Sequence, residues 1–315
     1  MAGLSPPDGP GTDSERPPEE DRAQVILVAA FSLAVAFVAL SVVINGAIFT
    51  QNLATRGDTA GGGDALQQRQ QAEQMVVDLL EHTNANYSDD RSMIETEFTA
   101  AVGDLSNSSA SQQSITGRAV DYAFADASDG VYIYNRTDAF TNESGTTDWT
   151  VASNVSDVRG FNIRIPDASD LSSSPTGAFT LNLSTGADTW EMRVYEDSGD
   201  VAVETTDGNG NTGVCSAPEP ADINVTAGLV GGNPCEPLDF GENLTGSYDI
   251  VYNNGGQAEG DYSLVINETT NTDVGDVPND NEDDILYSAT VEYTYRTANL
   301  VYETDIRVAP GEPDE

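Results

Sequence analysis

Lysine is absent from this 315-residue chain, histidine occurs once and cysteine twice. Twelve basic residues, all of them arginine, stand against 53 aspartates and glutamates, so the formal net charge is -41 and the isoelectric point is about 4.1. A chain this acidic repels phosphates, and it has no cluster of basic side chains that could release counterions. The composition therefore excludes nucleic acid as an expected partner.

The scarcity of catalytic residue types is the second informative absence. His82, the sole histidine, lies near the end of a predicted helix, and neither cysteine has a histidine nearby in the sequence. There is no G-x-S-x-G motif, and acidic residues are too abundant for one pair to be assigned as acid and base. We therefore predict that the protein is not an enzyme, with an exported hydrolase as the remaining catalytic alternative.

The excess of acidic residues indicates a halophilic protein. A dense acidic surface keeps its hydration in concentrated salt, where screening removes most of the charge repulsion that would destabilise a compact fold. High net charge is also typical of disordered chains. However, the 12 tyrosines, 9 phenylalanines and 2 tryptophans favour a folded domain, because most of them lie in alternating, strand-like runs.

Long hydrophobic runs are also scarce, and the one that stands out is residues 24–50, which carry no formal charge. This run is long enough as a helix to cross a bilayer, and it exceeds the 7 to 15 apolar residues of an ordinary cleaved signal peptide. We predict a transmembrane helix at residues 23–50. It is preceded by a disordered acidic tail at residues 1–22 and followed by a flexible, glycine-rich linker at residues 51–64.

Helical periodicity follows the predicted linker. Two runs have apolar residues three and four positions apart, and residues 115–124 predict a third short helix. The apolar positions of the two runs are Ala72, Val76, Leu79 and Leu80, then Ile94, Phe98, Ala101, Val102 and Leu105. We therefore expect residues 65–126 to form a helical segment that packs on the rest of the domain.

The periodicity then changes from helical to alternating. Apolar and polar residues alternate in runs such as 161–165, 179–184 and 190–194, and again in 248–252, 262–266 and 286–308. Such alternation predicts half-buried strands, and successive strands without helices between them indicate an antiparallel sandwich. The predicted fold class is α+β, with a β-sandwich-like ectodomain at residues 127–309 and an acidic tail at residues 310–315.

Two sequence features place the predicted ectodomain outside the cell. Cys215 and Cys235 are expected to form a disulfide closing a loop of about 20 residues. Nine Asn-x-Ser/Thr glycosylation motifs all follow the apolar run, and strand alternation predicts that Asn182 and Asn267 point to solvent. The nine asparagines are Asn86, Asn107, Asn135, Asn142, Asn154, Asn182, Asn224, Asn243 and Asn267.

One segment has the pattern of a metal-binding loop. Asp207, Asn209 and Asn211 alternate with glycines, like the opening of a calcium loop, but Pro218 stands where a closing carboxylate would be expected. The two interpretations are a weak calcium site and a polar turn, and we favour the turn. No other cofactor is expected.

Arg22, Ala23 and Gln24, directly before the apolar run, resemble the class III leader of haloarchaeal type IV pilin-like proteins. The resemblance implies cleavage between Ala23 and Gln24, retention of the apolar helix and assembly with other pilin-like subunits through residues 24–50. We therefore predict a non-enzymatic, single-pass surface glycoprotein that serves envelope assembly, adhesion or binding. The alternative is an uncleaved, membrane-anchored receptor or accessory subunit of a surface complex.

Overall fold

The structure, a computed structural model, describes residues 62–87, 90–115 and 117–313. Within these ranges the chain forms two α-helices, α1 (Gly62–Tyr87) and α2 (Arg91–Ser114), followed by fifteen strands. In chain order the strands β1 to β15 are Ala119–Ala139, Trp149–Val155, Val158–Ile165, Phe179–Ser184, Thr189–Asp197, Asp200–Thr206, Thr212–Pro218, Ala221–Asn224, Leu229–Val230, Asn233–Pro234, Tyr248–Asn253, Glu259–Asn267, Asp273–Val274, Glu282–Arg296 and Val301–Val308.

The strands form two antiparallel sheets. The eight-stranded sheet has the order β10-β9-β8-β3-β12-β1-β14-β15, and the seven-stranded sheet has the order β13-β2-β11-β4-β5-β6-β7. Three short 3-10 turns are the remaining helical elements among the strands of the described residues. The arrangement confirms the predicted antiparallel, sandwich-like architecture.

The main hydrophobic core lies between the two sheets. Its side chains are the apolar members of the alternating runs, including Phe161 and Ile163 from the eight-stranded sheet and Leu181 and Trp190 from the seven-stranded sheet. Aromatic rings meet edge to face in this core, with the centroids of Tyr252 and Tyr262 5.3 Å apart. Period-two alternation in the sequence therefore identified the buried face of these strands correctly.

Helices α1 and α2 cover a second core beside the first. The buried stripe of α1 includes Ala72, Val76 and Leu80, and it packs with strand residues such as Tyr122 and Tyr293. Helix α2 begins after Asp90, whose carboxylate accepts a hydrogen bond from the backbone N–H of Met93 at 3.1 Å. Two amphipathic helices packed on the sheet agree with the sequence prediction.

The predicted boundaries of the helical segment need correction. Residues 119–124 are the start of β1 rather than a third helix, so the sheet begins before residue 127. Val120, Tyr122 and Phe124 alternate with the smaller, exposed residues Asp121 and Ala123, and pairing with β14 selects the strand at this position. At the other end, Gly62 and Gly63 lie in the first turn of α1 rather than in the linker.

Strand β1 extends through both cores. Its first half contributes Val120 to the core under the helices, and its second half contributes Val131 and Ile133 to the core between the sheets. Its pairing with β14 shifts register twice, between Phe124 and Asp126 and between Ser128 and Asp129. These irregularities allow one long strand to serve two differently packed layers.

The predicted disulfide is present. Cys215 lies in β7, at the edge of the seven-stranded sheet, and Cys235 follows β10, at the edge of the eight-stranded sheet. Their sulfur atoms are 2.01 Å apart. The disulfide therefore ties an edge of one sheet to an edge of the other.

Part of the predicted C-terminal tail packs on the sheet. Glu312 accepts hydrogen bonds from Tyr287 Oη at 2.9 Å and from Arg307 Nη1 at 2.6 Å. The carbonyl oxygen of Pro310 accepts a hydrogen bond from Arg159 Nη1 at 3.0 Å. Residues 310–313 are thus bound to the domain by specific contacts.

Several predictions fall outside the described residues. These are the acidic tail at residues 1–22, the transmembrane helix at residues 23–50 with its processing site at Ala23 and Gln24, and residues 51–61 of the linker. Of the helices that the structure describes, neither is sufficiently long and apolar to cross a membrane.

Candidate binding groove

A groove of about 520 Å³ lies on the face of the eight-stranded sheet that points away from the seven-stranded sheet. Along β3, Asn162 and Arg164 are exposed in this groove, whereas the alternate residues face the core between the sheets. Strands β1, β12, β3 and β8 contribute the floor and one wall, and residues of the β9–β10 turn contribute the other wall. The groove is thus formed mainly by paired strands, which hold side chains more rigidly than loops do.

The β1 wall is a stack of three side chains at alternate positions. The rings of Tyr132 and Tyr134 are stacked with their centroids 5.2 Å apart and their planes at 23°. The guanidinium carbon of Arg136 lies 5.5 Å from the ring centroid of Tyr134. A cation over an aromatic face is favourable by about 0.5–1 kcal/mol at exposed sites, so this wall is partly preorganised.

The floor consists of two rows of polar side chains fixed by strand register. Ser263 of β12 pairs with Tyr134 and with Asn162, and Asn162 pairs with Asn224. In the neighbouring row, Arg164 pairs with Asp261 on one side and Asp222 on the other. A row of hydroxyl and amide groups therefore lies beside a row of charged groups, and each row runs across neighbouring strands.

The charges of the groove are mixed rather than uniformly acidic. Arg164 Nε lies 3.8 Å from Asp222 Oδ1, and more than half of each side chain is exposed, so solvent screens this ion pair. Arg136 is also exposed. The groove thus holds two of the twelve basic residues of a chain whose net charge is -41.

Sequence reasoning missed the β1 wall. The alternation of Val131 and Ile133 with Tyr132 and Tyr134 is a clear period-two signal, yet this run was not among the strands predicted from the sequence. An aromatic residue at every second position of a strand, opposite to buried aliphatic residues, would have identified an aromatic row on the outer face.

The predicted glycosylation motifs occupy different environments. Asn86, Asn107 and Asn243 are exposed, and Asn142, Asn154, Asn182, Asn224 and Asn267 are half-buried. Asn135 is only 1% exposed, and its Nδ2 donates to the carbonyl oxygen of Ala139 at 3.3 Å. Asn182 and Asn267 donate from Nδ2 to Asn253 Oδ1 at 3.0 Å and to Asp157 Oδ2 at 3.1 Å. Asn86, Asn107 and Asn243 are therefore the most accessible of the nine.

The predicted metal-binding segment forms the turn between β6 and β7. Asp207 Oδ1 accepts hydrogen bonds from the backbone N–H groups of Asn209 at 2.9 Å and Asn211 at 2.7 Å. Asp207 Oδ2 accepts from Asn211 Nδ2 at 2.6 Å. The Asn211 amide and these backbone donors lower the pKa of the Asp207 carboxyl below its usual value, because they stabilise its charged form. This is the hydrogen bonding of a polar turn.

Outside the groove, the described domain assembles no set of metal-binding side chains that could form a competing site. Among the described residues, no group of three or more histidine, cysteine, aspartate or glutamate side chains is arranged to hold a metal ion. His82 is exposed on α1, with Nδ1 3.3 Å from Asn86 Nδ2. The groove on the eight-stranded sheet is therefore the candidate functional site.

Comparison with known proteins gives one partial match. Residues 19–150 match a family described as a family of unknown function (DUF7261). The matched range includes the apolar run, both helices and β1, and therefore the Tyr132, Tyr134 and Arg136 wall. The other strands of the groove lie beyond it. No curated protein and no solved structure matches the chain.

Proposed function

We propose that the protein is a membrane-anchored surface protein whose β-sandwich head binds a partner or ligand at the cell envelope through the groove. The observation that carries this proposal is the groove itself, since concave sites with a few fixed polar groups are typical of ligand binding. In this proposal the head, residues 62–313, binds a partner in adhesion or envelope assembly and does not catalyse a reaction.

The disulfide and the charge balance support a position outside the cell. Disulfides persist in oxidising compartments, and Cys215 and Cys235 are paired. The excess of acidic residues suits an envelope exposed to concentrated salt. In this proposal residues 24–50 cross the membrane once, and the head is extracellular and glycosylated.

Protease treatment of intact cells tests this location. Antibodies against the head and against residues 1–22 report which part is removed. We expect the head to be degraded while any retained N-terminal tail is protected. A head that stays intact on whole cells, but is degraded after lysis, would contradict the proposed topology.

We further propose a pilin-like route of processing. It is supported by the Arg22-Ala23-Gln24 sequence before the apolar run and by α1, which follows that run and packs its apolar stripe on the sheet. Mass spectrometry of the native N-terminus tests it. A chain beginning at Gln24 is expected, whereas a chain that retains residues 1–22 would favour an uncleaved receptor or accessory subunit.

A further inference from the structure

The floor of the groove mixes hydrogen-bond donors and acceptors at short intervals. Asn162, Ser263 and Asn224 can each donate and accept, Arg164 only donates, and ionised Asp222 only accepts. All five side chains lie on neighbouring, paired strands, so their spacing is set by the sheet. A ligand that fills the groove must therefore satisfy both kinds of group along its length.

This mixture of donors, acceptors and charges favours some chemical classes of ligand over others. An anion would meet Asp222, and a cation would meet Arg136 and Arg164. An apolar chain would remove water from the polar floor without replacing its hydrogen bonds, which costs free energy for every unpaired group. A sugar hydroxyl both donates and accepts, so a chain of sugars matches the mixed floor without requiring one sign of charge.

The β1 wall and the size of the groove fit the same class. Tyr132 and Tyr134 are half-buried and turn ring faces towards each other, so the apolar surface that they offer to the C–H groups of a sugar is mainly that of the ring edges. The volume of about 520 Å³ lies within the range of about 300–1,000 Å³ that is usual for ligand sites. Because Arg136 packs over Tyr134, the wall needs little ordering on binding.

We infer that the groove between Tyr134 and Asp222 is a carbohydrate-binding site that takes an oligosaccharide. The hydroxyl groups of the sugar bond to Asn162, Arg164 and Asp222, and the sugar rings lie along the tyrosine wall. This inference rests on the proposed binding role of the head, and it specifies the chemistry of the partner.

The oligosaccharide has two sources with the same chemistry. Asn224 lies in the floor within the motif Asn224-Val225-Thr226, and its Oδ1 accepts from the backbone N–H of Ala227 at 2.9 Å. A glycan attached to Asn224 would therefore begin inside the groove. The other source is a glycan of a neighbouring molecule at the envelope.

Binding is tested with the full-length chain in lipid nanodiscs at high salt, produced without glycosylation in a bacterial host. The probes are the neutral hexasaccharides maltohexaose, chitohexaose and mannohexaose, measured by titration calorimetry. At least one probe is expected to bind, and Asn162→Ala is expected to weaken that binding by about tenfold. Tyr134→Ala should weaken it as well, but Asn162 is the cleaner position because its side chain is exposed.

Arg193→Ala is the matched control. Arg193 is half-exposed on the seven-stranded sheet, where it is paired with Glu204 at 2.9 Å, so its removal should leave affinity unchanged. Failure of all three probes to bind at millimolar concentration would overturn the inference. Equal affinity of the Asn162→Ala and wild-type proteins would also overturn it, because binding would then lie elsewhere.

Natively glycosylated protein distinguishes the two sources. If the groove holds the chain's own glycan, native protein should not bind the probe, and Asn224→Gln should restore binding. If the native wild-type protein binds the probe as well as the bacterial protein does, the sugar comes from another molecule. Neither measurement depends on where the head lies in the cell, so the protease test can fail separately from this one.

Discussion

The side-chain amide of Asn84, near the end of α1, makes two hydrogen bonds with the backbone of Leu286 in β14. Asn84 Nδ2 donates to the carbonyl oxygen of Leu286 at 2.9 Å, and the N–H of Leu286 donates to Asn84 Oδ1 at 3.0 Å. Leu286 lies where the pairing of β1 and β14 shifts register, so its backbone groups need partners from outside the ladder. One side chain thus fastens the helix to the irregular point of the sheet.

Replacing Asn84 by alanine should destabilise the domain by about 1–3 kcal/mol, because the N–H of Leu286 loses its acceptor and the carbonyl oxygen of Leu286 keeps only the bond from Arg159 Nη2. The free energy of unfolding can be measured by urea denaturation. Gln74→Ala on the same helix is the control, since Gln74 is exposed and its side chain donates to Asp78 Oδ1, one helical turn away, at 3.1 Å. Equal stability of the Asn84→Ala and Gln74→Ala proteins would contradict this role.

Arg159 should be the arginine whose loss destabilises the head most. It is 7% exposed and donates to the carbonyl oxygens of Tyr287, Pro310 and Leu286 at 2.7, 3.0 and 3.2 Å. Burial lowers the pKa of its guanidinium, which stays charged at neutral pH. Arg159→Ala is expected to destabilise the head by about 3 kcal/mol or more, because three backbone carbonyl groups each lose a hydrogen bond from a charged donor, and the bond from Asn84 replaces none of them. In thermal unfolding, the exposed Arg164→Ala variant should change stability far less, and the reverse order would refute the prediction.

The disulfide should stabilise the head by about 3 kcal/mol, as chain entropy predicts for a loop of this length. Cys215 and Cys235 are 20 residues apart. The comparison is between the oxidised and reduced wild-type protein in urea, with the Cys215→Ala/Cys235→Ala double variant as the control for the reductant itself. A reductant that lowers the stability of both proteins equally would show that the disulfide is not the cause.

The turn at Asp207 yields a pH prediction. Since the folded-state pKa of Asp207 is lowered, its contribution to stability is fully present above the unfolded value of about 3.9 and is lost as the pH falls through the folded value. Asn211→Ala removes the main cause and should raise the pKa of Asp207, measured by carboxyl NMR titration. Asn209→Ala keeps its backbone donor and should leave that pKa unchanged. A pKa unaffected by Asn211→Ala would disprove this account.

Sodium chloride should stabilise the protein at concentrations up to about 1 M. Over this range, screening weakens the repulsion among the acidic side chains. With a net charge of -41, the melting temperature is expected to rise steeply with added sodium chloride. Choline chloride should act almost equally well, since Debye screening depends on ionic strength and not on the cation. A melting temperature that is independent of salt would contradict the halophilic interpretation.

The strands with clean alternation could be predicted because one face of each is buried. In the runs around Phe161, Leu181 and Trp190, every second residue enters the core, so the local pattern and the tertiary environment agree. The start of β1 could not be predicted, because residues 115–124 carry both a helical and an alternating pattern. Pairing with β14, far away in the sequence, decided between them.

The candidate site, like the start of β1, could not be predicted from local sequence patterns. The sequence located neither Arg164 nor Tyr134 as binding residues, since each is an ordinary surface position of its own strand. They lie in one groove because β12 pairs between β1 and β3, a non-local contact that no short motif encodes. The disulfide could be predicted because a chain with two cysteines after its apolar run allows one intramolecular pairing.

By itself, the sequence determined the composition of the surface, the uncharged run at residues 24–50, the cysteine pair and the buried face of most strands. These properties depend on residue type and local spacing, which are fully present in a linear chain. Only the tertiary structure decided the strand order, the start of β1, the role of Arg159 and the assembly of the groove. Each of these depends on backbone groups and side chains from distant segments, whose pairing is selected by the packing of the whole domain.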